Sequence, residues 1–381
     1  MITRKIVLVA NTAWNLWNFR RALIERLVAG GFEVICMAPA DGYEVHLSTI
    51  AGLRFVPLKK LSRKGLSIVG NLSALIELAK LLRKEKPSLA VFYTVKPNIF
   101  GCLAAARAGV PAVATIEGLG YLASAAAPSS LRRLVFRMYG LALRLARKVV
   151  FLNRDDRAEF LRHRVVASEK TLIIRGTGVD TDHFAPVEDG QPPGPVFLFI
   201  GRLLSDKGIR EFVEAARIVR AAAPEARFRL LGSTDAGNPA SIDGDELRRW
   251  IDTQSIEYLG QSDDVRTHIA AAGIVVLPSY REGMPRVLLE GMAMGKPVIT
   301  TDSVGCRDTV EEGRNGLIVP PEDAEALAAA MLRFIRMPAV EREQMGRHSR
   351  TKALAEFSND VILPQYLSLI GAIVQPDASE R

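Results

Sequence analysis

The stretch Pro278–Thr300, PSYREGMPRVLLEGMAMGKPVIT, decides how the chain is read. One apolar run, Ile274 to Leu277, leads into it, and a second, Pro297 to Thr300, closes it. Between them Gly283 and Pro285 break the chain. Short apolar runs bounded by turn residues read as strands, and proline is favoured in a first helical turn. The stretch therefore predicts strand–loop–helix–strand, with the helix opening near Pro285. Glu282 falls in the loop beside the helix start, and Glu290 lies on the helix about a turn and a half further in. N–H groups at a helix start hold anions, and carboxylates accept from hydroxyls. A ligand with both an anionic group and hydroxyls suits this pattern, and a sugar nucleotide is one.

The same alternation runs outward through the chain. Upstream it predicts strands at Lys5–Ala10, Phe32–Ala38, Arg54–Leu58, Leu89–Tyr93 and Ala112–Ile116. Helical periods separate several of them, at Phe19–Gly30, Leu72–Arg83 and Ile99–Ala108. Strands separated by helices imply a parallel sheet with right-handed crossovers. The run PVEDGQPPGP, residues 186–195, has four prolines and two glycines and reads as a linker. Alternation then restarts with strands at Val196–Ile200, Arg227–Leu231, Glu257–Leu259 and Ile274–Leu277. The expected architecture is α/β, two doubly wound domains facing a central cleft: residues 1–185, then the linker, then 196–360. A closing helix at about 361–375 is placed back against the first domain.

A chain of 381 residues, 48% hydrophobic and 24% charged, has the size and composition of two ordinary globular domains. Three scattered cysteines imply no disulfide framework, which favours a reducing compartment. The N-terminal apolar run Ile6–Ala10 is shorter than a signal-peptide core of about 7–15 residues. No stretch approaches the roughly 20 apolar residues of a membrane span. The expected location is cytoplasmic. The net charge of +8 is uneven: residues 1–185 hold 28 Lys+Arg against 13 Asp+Glu, and the remainder 22 against 29. That asymmetry predicts an anionic partner for the first half, lipid or nucleic acid. Leu131–Lys148 reads as a basic amphipathic helix with Leu131, Leu134, Val135, Met138, Leu141, Ala142 and Leu145 on one face. A second basic cluster lies at Lys59-Lys60 and Arg63-Lys64. The partner favoured for this half is an anionic membrane surface rather than nucleic acid.

After the first strand of the second domain the chain reads GRLLSDKG, Gly201 to Gly208. In open α/β sheets ligands sit beyond the carboxyl ends of the strands. There Arg202 and Lys207 offer two cations five residues apart, able to neutralise a diphosphate without a metal.

GRLLSDKG, YLGQSDD (Tyr258–Asp264) and the opening stretch together resemble the retaining GT-B glycosyltransferases of family 4, with Glu282 and Glu290 matching their E-x7-E signature. The resemblance covers nearly the whole chain. It implies a UDP-sugar donor as substrate, no cofactor and no metal. On this resemblance Arg202 and Lys207 bind the diphosphate, assisted by Gly201, and Glu282 holds hydroxyls of the transferred sugar. Gly283, Met284, Pro285 and Arg286 supply neighbouring backbone, Glu290 takes the ribose, and Leu259-Gly260 meets the base. The loop Thr115–Gly120, with Glu117-Gly118, resembles the branch acting on undecaprenyl-diphosphate sugars, among them N-acetylgalactosaminyltransferases of bacterial protein N-glycosylation and O-antigen enzymes. That branch implies a polyprenyl-diphosphate-linked sugar as acceptor, with enzymes peripheral on the inner face of the membrane. Glu117 stands where many members have a histidine, and it binds or orients the acceptor hydroxyl or supports the site from behind.

The loop after the first strand, Asn11 to Asn18, holds two tryptophans and three asparagines. Indole rings stack on sugars and sit at membrane interfaces, so Asn11, Trp14 and Asn15 join Gly118 as acceptor-side candidates, while Trp17 reads as a hydrophobic staple. Asp243-Gly244-Asp245 matches the D-x-D of metal-dependent transferases but reads better as a helix N-terminus. Two competing functions are a sugar-nucleotide epimerase of the same architecture and a two-lobed sugar-binding module.

Overall fold

The computed structural model describes residues 4–62, 68–119, 128–187, 195–235 and 237–374. The chain forms two compact units, Met1–Thr177 with Ile362–Arg381, and Gly178–Val361.

In the first unit the elements are β1 (Lys5–Val9), α1 (Ala13–Ala29), β2 (Glu33–Ala38), α2 (Glu44–Leu47), β3 (Leu53–Pro57), α3 (Ile68–Glu85) and β4 (Leu89–Tyr93). There follow α4 (Cys102–Ala108), β5 (Ala112–Ile116), α5 (Ser129–Leu143), β6 (Lys148–Phe151), α6 (Arg154–Arg162) and β7 (Thr171–Ile173). The sheet is parallel in the order β3-β2-β1-β4-β5-β6-β7. Period-two alternation sends Val7 and Val9 to a core shared with α3, α4 and α5. It sends Ile6 and Leu8 to an opposite core shared with α1. Both faces are covered, so the strands must be continuously apolar.

Three expectations need correction here. Helix α1 opens at Ala13, not Phe19, because Thr12 caps it by accepting from the Asn15 amide at 3.1 Å. Trp14, Asn15, Trp17 and Asn18 are therefore helical. Helix α5 ends at Leu143, and Lys148 already belongs to β6. Its inward side is Val135, Phe136, Tyr139, Ala142 and Leu143. Of the expected apolar face, Leu134, Leu141 and Leu145 are exposed, while Val135 and Ala142 turn inward beside the larger aromatic rings on the sheet side. Finally, the division falls at Gly178 rather than at residue 186. Val179 exchanges backbone hydrogen bonds with Phe357 and Asn359, and Phe184 joins the second unit's core, which ties this segment to that unit. Most of the expected linker, 188–194, lies outside the described residues, as do Arg63, Lys64 and Gly120.

The second unit contains β8 (Val196–Ile200), α7 (Ile209–Ala222), β9 (Arg227–Leu231), α8 (Gly244–Asp252), β10 (Glu257–Tyr258), α9 (Arg266–Ala270) and β11 (Ile274–Leu277). It continues with α10 (Arg286–Ala293), β12 (Val298–Thr301), β13 (Gly316–Val319), α11 (Ala324–Arg336) and α12 (Ala339–Lys352). Its parallel sheet runs β10-β9-β8-β11-β12-β13. Chain order reverses direction between β8 and β11, the switch point where such sheets bind ligands. Helix α10 buries Leu288, Leu289 and Met292. A Cβ on Gly291 would stand 2.8 Å from Val275 Cγ2, so glycine is what lets α10 lie close on β11.

The last helix, α13 (Asn359–Val374), places Ile362, Leu363, Tyr366, Ile370 and Val374 in the first unit's core beside α1. The first unit is thus built from both ends of the sequence.

Candidate active site

The candidate donor site grows from the carboxyl ends of β8 and β11. After β8 the chain passes Gly201 and Arg202 and makes a short 3-10 turn, Ser205–Lys207. It then starts α7 through Gly208, whose φ is 70°. After β11 it passes Pro278 and Ser279 toward Glu282, and α10 opens at Arg286 with Pro285 at the cap position, as the turn-and-proline pattern predicts.

These two loops are tied together. The Tyr280 amide donates to Asp206 O at 3.0 Å and Ser279 Oγ to the same carbonyl at 3.1 Å. Tyr280 OH donates to Glu211 Oε1 at 2.7 Å, reaching the first turn of α7. A Cβ on Gly208 would meet Pro278 O at 2.0 Å, so the loops touch through backbone. The result is a contact between residues 75 positions apart: Lys207 Nζ donates to Glu282 Oε1 at 2.5 Å, both side chains largely buried.

Arg202, half exposed, donates from Nη1 to Asp235 Oδ2 at 3.0 Å. Gly201 receives its support from β9, with its amide bonded to Leu231 O at 3.0 Å. The Gly232 amide donates to Gly260 O at 2.7 Å, and the Leu259 amide to Leu230 O at 2.9 Å. Gly201, Leu259 and Gly260 are thereby placed along one edge. Glu290 accepts from Arg286 Nε at 2.8 Å. Burial pushes the Glu290 carboxyl above its usual range, against the pull of Arg286 and, more weakly, His183. Gly283 is buried and Met284 packs partly on the unit's core. The second unit thus brings Arg202, Lys207 and Glu282 to neighbouring loops at the carboxyl end of its sheet, with Glu290 on α10, the helix that the Glu282 loop leads into. Asp243 caps α8 by accepting from the Asp245 amide, the helix-start role expected of it. Among the described residues no three His, Cys, Asp or Glu side chains cluster as metal ligands would.

Reading the sequence missed Asp235, His183 and Gly305. A Cβ on Gly305 would come within 2.4 Å of Glu282 O and 2.7 Å of Gly283 O, and the Glu282 amide donates to Val304 O at 2.9 Å. This segment after β12 backs the Glu282 loop, and no spacing in the sequence announces it.

In the first unit, the carboxyl ends of β1, β4 and β5 carry Asn11, the start of α1, Tyr93-Thr94 and Glu117-Gly118. Trp14 is exposed and meets Phe19 edge-on at 5.2 Å, and its amide donates to Asp41 Oδ2 at 3.1 Å. Asn15 is buried, and its Oδ1 has no hydrogen-bond partner among the described residues. Trp17 stacks on His46 at 5.3 Å. Gly118 has φ 115°, which its residue type permits. Glu117 is ion-paired with Arg20, a residue the sequence reading did not single out.

With this geometry in hand, comparisons with known proteins identify both halves. A profile described as "Glycosyl transferase 4-like domain" matches residues 16–177, and one described as "Glycosyl transferases group 1" matches 194–337. The chain is 27% identical to the N,N'-diacetylbacillosaminyl-diphospho-undecaprenol alpha-1,3-N-acetylgalactosaminyltransferase of Campylobacter jejuni, over 97% of this chain and 99% of the relative. It is also 27% identical to an Escherichia coli UDP-Gal:alpha-D-GlcNAc-diphosphoundecaprenol alpha-1,3-galactosyltransferase, covering 71% of this chain and 72% of that one. Among solved structures, Anabaena Alr3699/HepE in complex with UDP-glucose superposes with a TM-score of 0.80 at 19% identity, covering 97% and 99% of the two chains. None of these relatives is an epimerase, so that alternative gains no support. The chain belongs to the GT-B glycosyltransferases, pairing a glycosyl transferase 4-like domain with a group 1 domain.

Proposed function

We propose that the protein is a retaining hexosyltransferase that moves a sugar, an N-acetylhexosamine, from a UDP-sugar to a polyprenyl-diphosphate-linked sugar in bacterial surface-glycan or glycoprotein assembly. The observation that carries this reading is the Lys207–Glu282 contact at the switch point, with Arg202 on the same loop. When the bond between the anomeric carbon and the phosphate oxygen breaks, charge develops on the leaving diphosphate. Arg202 and Lys207 are the cations placed to take it up, so this chain's own residues serve in place of a metal. Glu282 holds the ammonium in position and accepts from hydroxyls of the transferred sugar. Glu290, steadied by Arg286, accepts from the ribose. The acceptor oxygen bonds to the same face of the sugar that the phosphate leaves, and its proton passes to the departing phosphate oxygen. The names of the Campylobacter and Escherichia relatives support the acceptor class.

The membrane surface belongs to the same proposal. No helix of the described residues is long and apolar enough to cross a bilayer. The exposed residues from 129 to 147 are two serines, Arg133, Leu134, Arg137, Leu141, Arg144, Leu145 and Arg147, with no carboxylate among them. Those four arginines form no ion pair among the described residues. Helix α3 adds exposed Val69, Leu72 and Ile76 at i, i+3 and i+7 in the same layer. Leucine with arginine exposed together suits the interface of an anionic membrane and supports a peripheral position on its inner face.

The deciding experiment offers the purified protein a panel of UDP-sugars with short polyprenyl-diphosphate sugars and measures UDP release. Acceptor-dependent release with one UDP-N-acetylhexosamine is the expected result. Release from none of them, or conversion of the UDP-sugar itself without lipid, overturns the reading.

A further inference from the structure

The first unit buries one arginine completely. Arg20, on α1, is 1% exposed. Stripping a guanidinium of water costs several kcal/mol, so its surroundings must compensate. Its guanidinium lies 4.1 Å from the centroid of the Tyr93 ring, on the face where the π-electrons attract a cation. Its Nη2 is ion-paired with Glu117 Oε1. Tyr366 of α13 stands beside it and donates its hydroxyl to Gly176 O at 3.1 Å. Burial works against the charge, yet Glu117 and the neighbouring tyrosines outweigh it and hold the guanidinium above its ordinary range.

The pair is graded from inside to outside. Arg20 is sealed, whereas the Glu117 side chain keeps 18% of its surface exposed. Glu117 Oε1 is taken by the arginine, and Oε2 has no donor among the described residues. Glu117 directly follows β5, just before the positive-φ Gly118, near the switch between β1 and β4. On the adjoining strand ends and helix, buried polar atoms lack hydrogen-bond partners among the described residues: Asn15 Oδ1, Thr94 Oγ1, Thr115 Oγ1 and Tyr93 OH. A buried cation that fixes one oxygen of a carboxylate and leaves the other unclaimed is an arrangement for presenting that second oxygen.

We infer that Arg20 is a positioning residue of the acceptor site, one that locks Glu117 so that Oε2 accepts the hydrogen bond of the incoming sugar hydroxyl. Tyr93 and Tyr366 are the walls that hold the guanidinium in place. The inference rests on the proposal that Glu117 handles the acceptor, and the test separates the two.

The test compares R20K, R20M, E117Q and R20M/E117Q in the full-length enzyme. Readouts are initial rates against acceptor, UDP affinity by calorimetry, and thermal midpoint. Replacing a buried ion pair by neutral groups is often tolerated better than removing one partner, so the double variant is the folded reference should R20M unfold. E117Q is expected to lose about 10- to 100-fold in kcat/KM for acceptor, the scale of a lost hydrogen bond to a charged group. R20K is expected to lose a large part of it, with UDP affinity within about twofold of wild type in both. The double variant should lose no more than E117Q alone, because both changes remove one function. Wild-type acceptor kinetics in E117Q overturn the role of Glu117 and this inference with it. Impaired E117Q beside unimpaired R20K, or additive losses in the double variant, overturn the positioning role of Arg20 alone. A loss in R20K that follows lowered thermal stability, with UDP affinity falling equally, overturns it as well by showing a merely structural role.

Discussion

Gly208→Ala tests whether the donor site depends on direct backbone contact between its two loops. At φ 70° an alanine meets the left-handed region, which costs about 1–2 kcal/mol. Its Cβ would also stand 2.0 Å from Pro278 O and 2.7 Å from Pro278 C, backbone atoms with no rotamer to retreat into. Relieving such overlap adds about 1–3 kcal/mol. The total, about 2–5 kcal/mol, corresponds to a fall of about 4–20 °C in the midpoint of a unit of this size. Gly313→Ala supplies the control. Gly313 has φ 73°, but its Cβ would find only Arg333 Nη2, at 3.7 Å, so it carries the conformational cost without the clash. Calorimetric melting of both variants isolates the contact. The loop that moves carries Glu282 away from Lys207, so UDP affinity measured by titration should fall about tenfold or more in G208A, on the scale of a lost charge-assisted hydrogen bond, and hold in G313A. A G208A protein that melts with G313A and binds UDP like wild type would refute the reasoning.

Three further outcomes follow from the same site and surface. Lys207→Ala removes a cation from the leaving diphosphate and should lower kcat about 100- to 1,000-fold with the fold intact, measured as UDP release under saturating substrates. Burial raises the Glu290 carboxyl, so the folded state holds its proton more tightly than the unfolded chain, near pH 4.3. Its contribution is therefore fully present below that pH and is lost as pH rises through the folded value. Glu290→Gln should accordingly melt at or above the wild-type temperature at pH 7 while binding UDP more weakly, and equal loss of both would contradict the sign. Replacing Leu134, Leu141 and Leu145 by glutamine should abolish flotation with anionic vesicles and leave UDP affinity unchanged. Retained flotation would remove α5 from the membrane surface.

The alternation of strands and helices was legible because strands buried on both faces must be apolar runs, and β4 and β5 end where those runs end. The start of α1 was not. Thr12 is an ordinary cap, but Ala13–Asn18 carries two tryptophans and two asparagines, weak helix formers, and tertiary contact supplies the rest. Asp41, 27 residues away, receives the Trp14 amide. Which side of α5 enters the core was not legible, because leucines surround the helix and only packing shows that Phe136 and Tyr139 are chosen for the core. At the donor site, Arg202, Lys207, Glu282 and Glu290 carry signals in their own spacing. Gly305, Asp235 and Arg20 do not, because each meets its partner across the sheet or from another helix.

The first unit is made from the two ends of the chain, and this sets an order of assembly during synthesis. Residues 178–361 are continuous and can close their core as they leave the ribosome. The segment made first cannot finish. Ile362, Tyr366 and Ile370, which complete the core beside α1, are made only after the whole second unit. Until they arrive, the core between α1 and the sheet lacks the side chains of α13, and Arg20 lacks one of its aromatic neighbours. The half read as the acceptor side therefore completes its core only after residues 362–374 have been made.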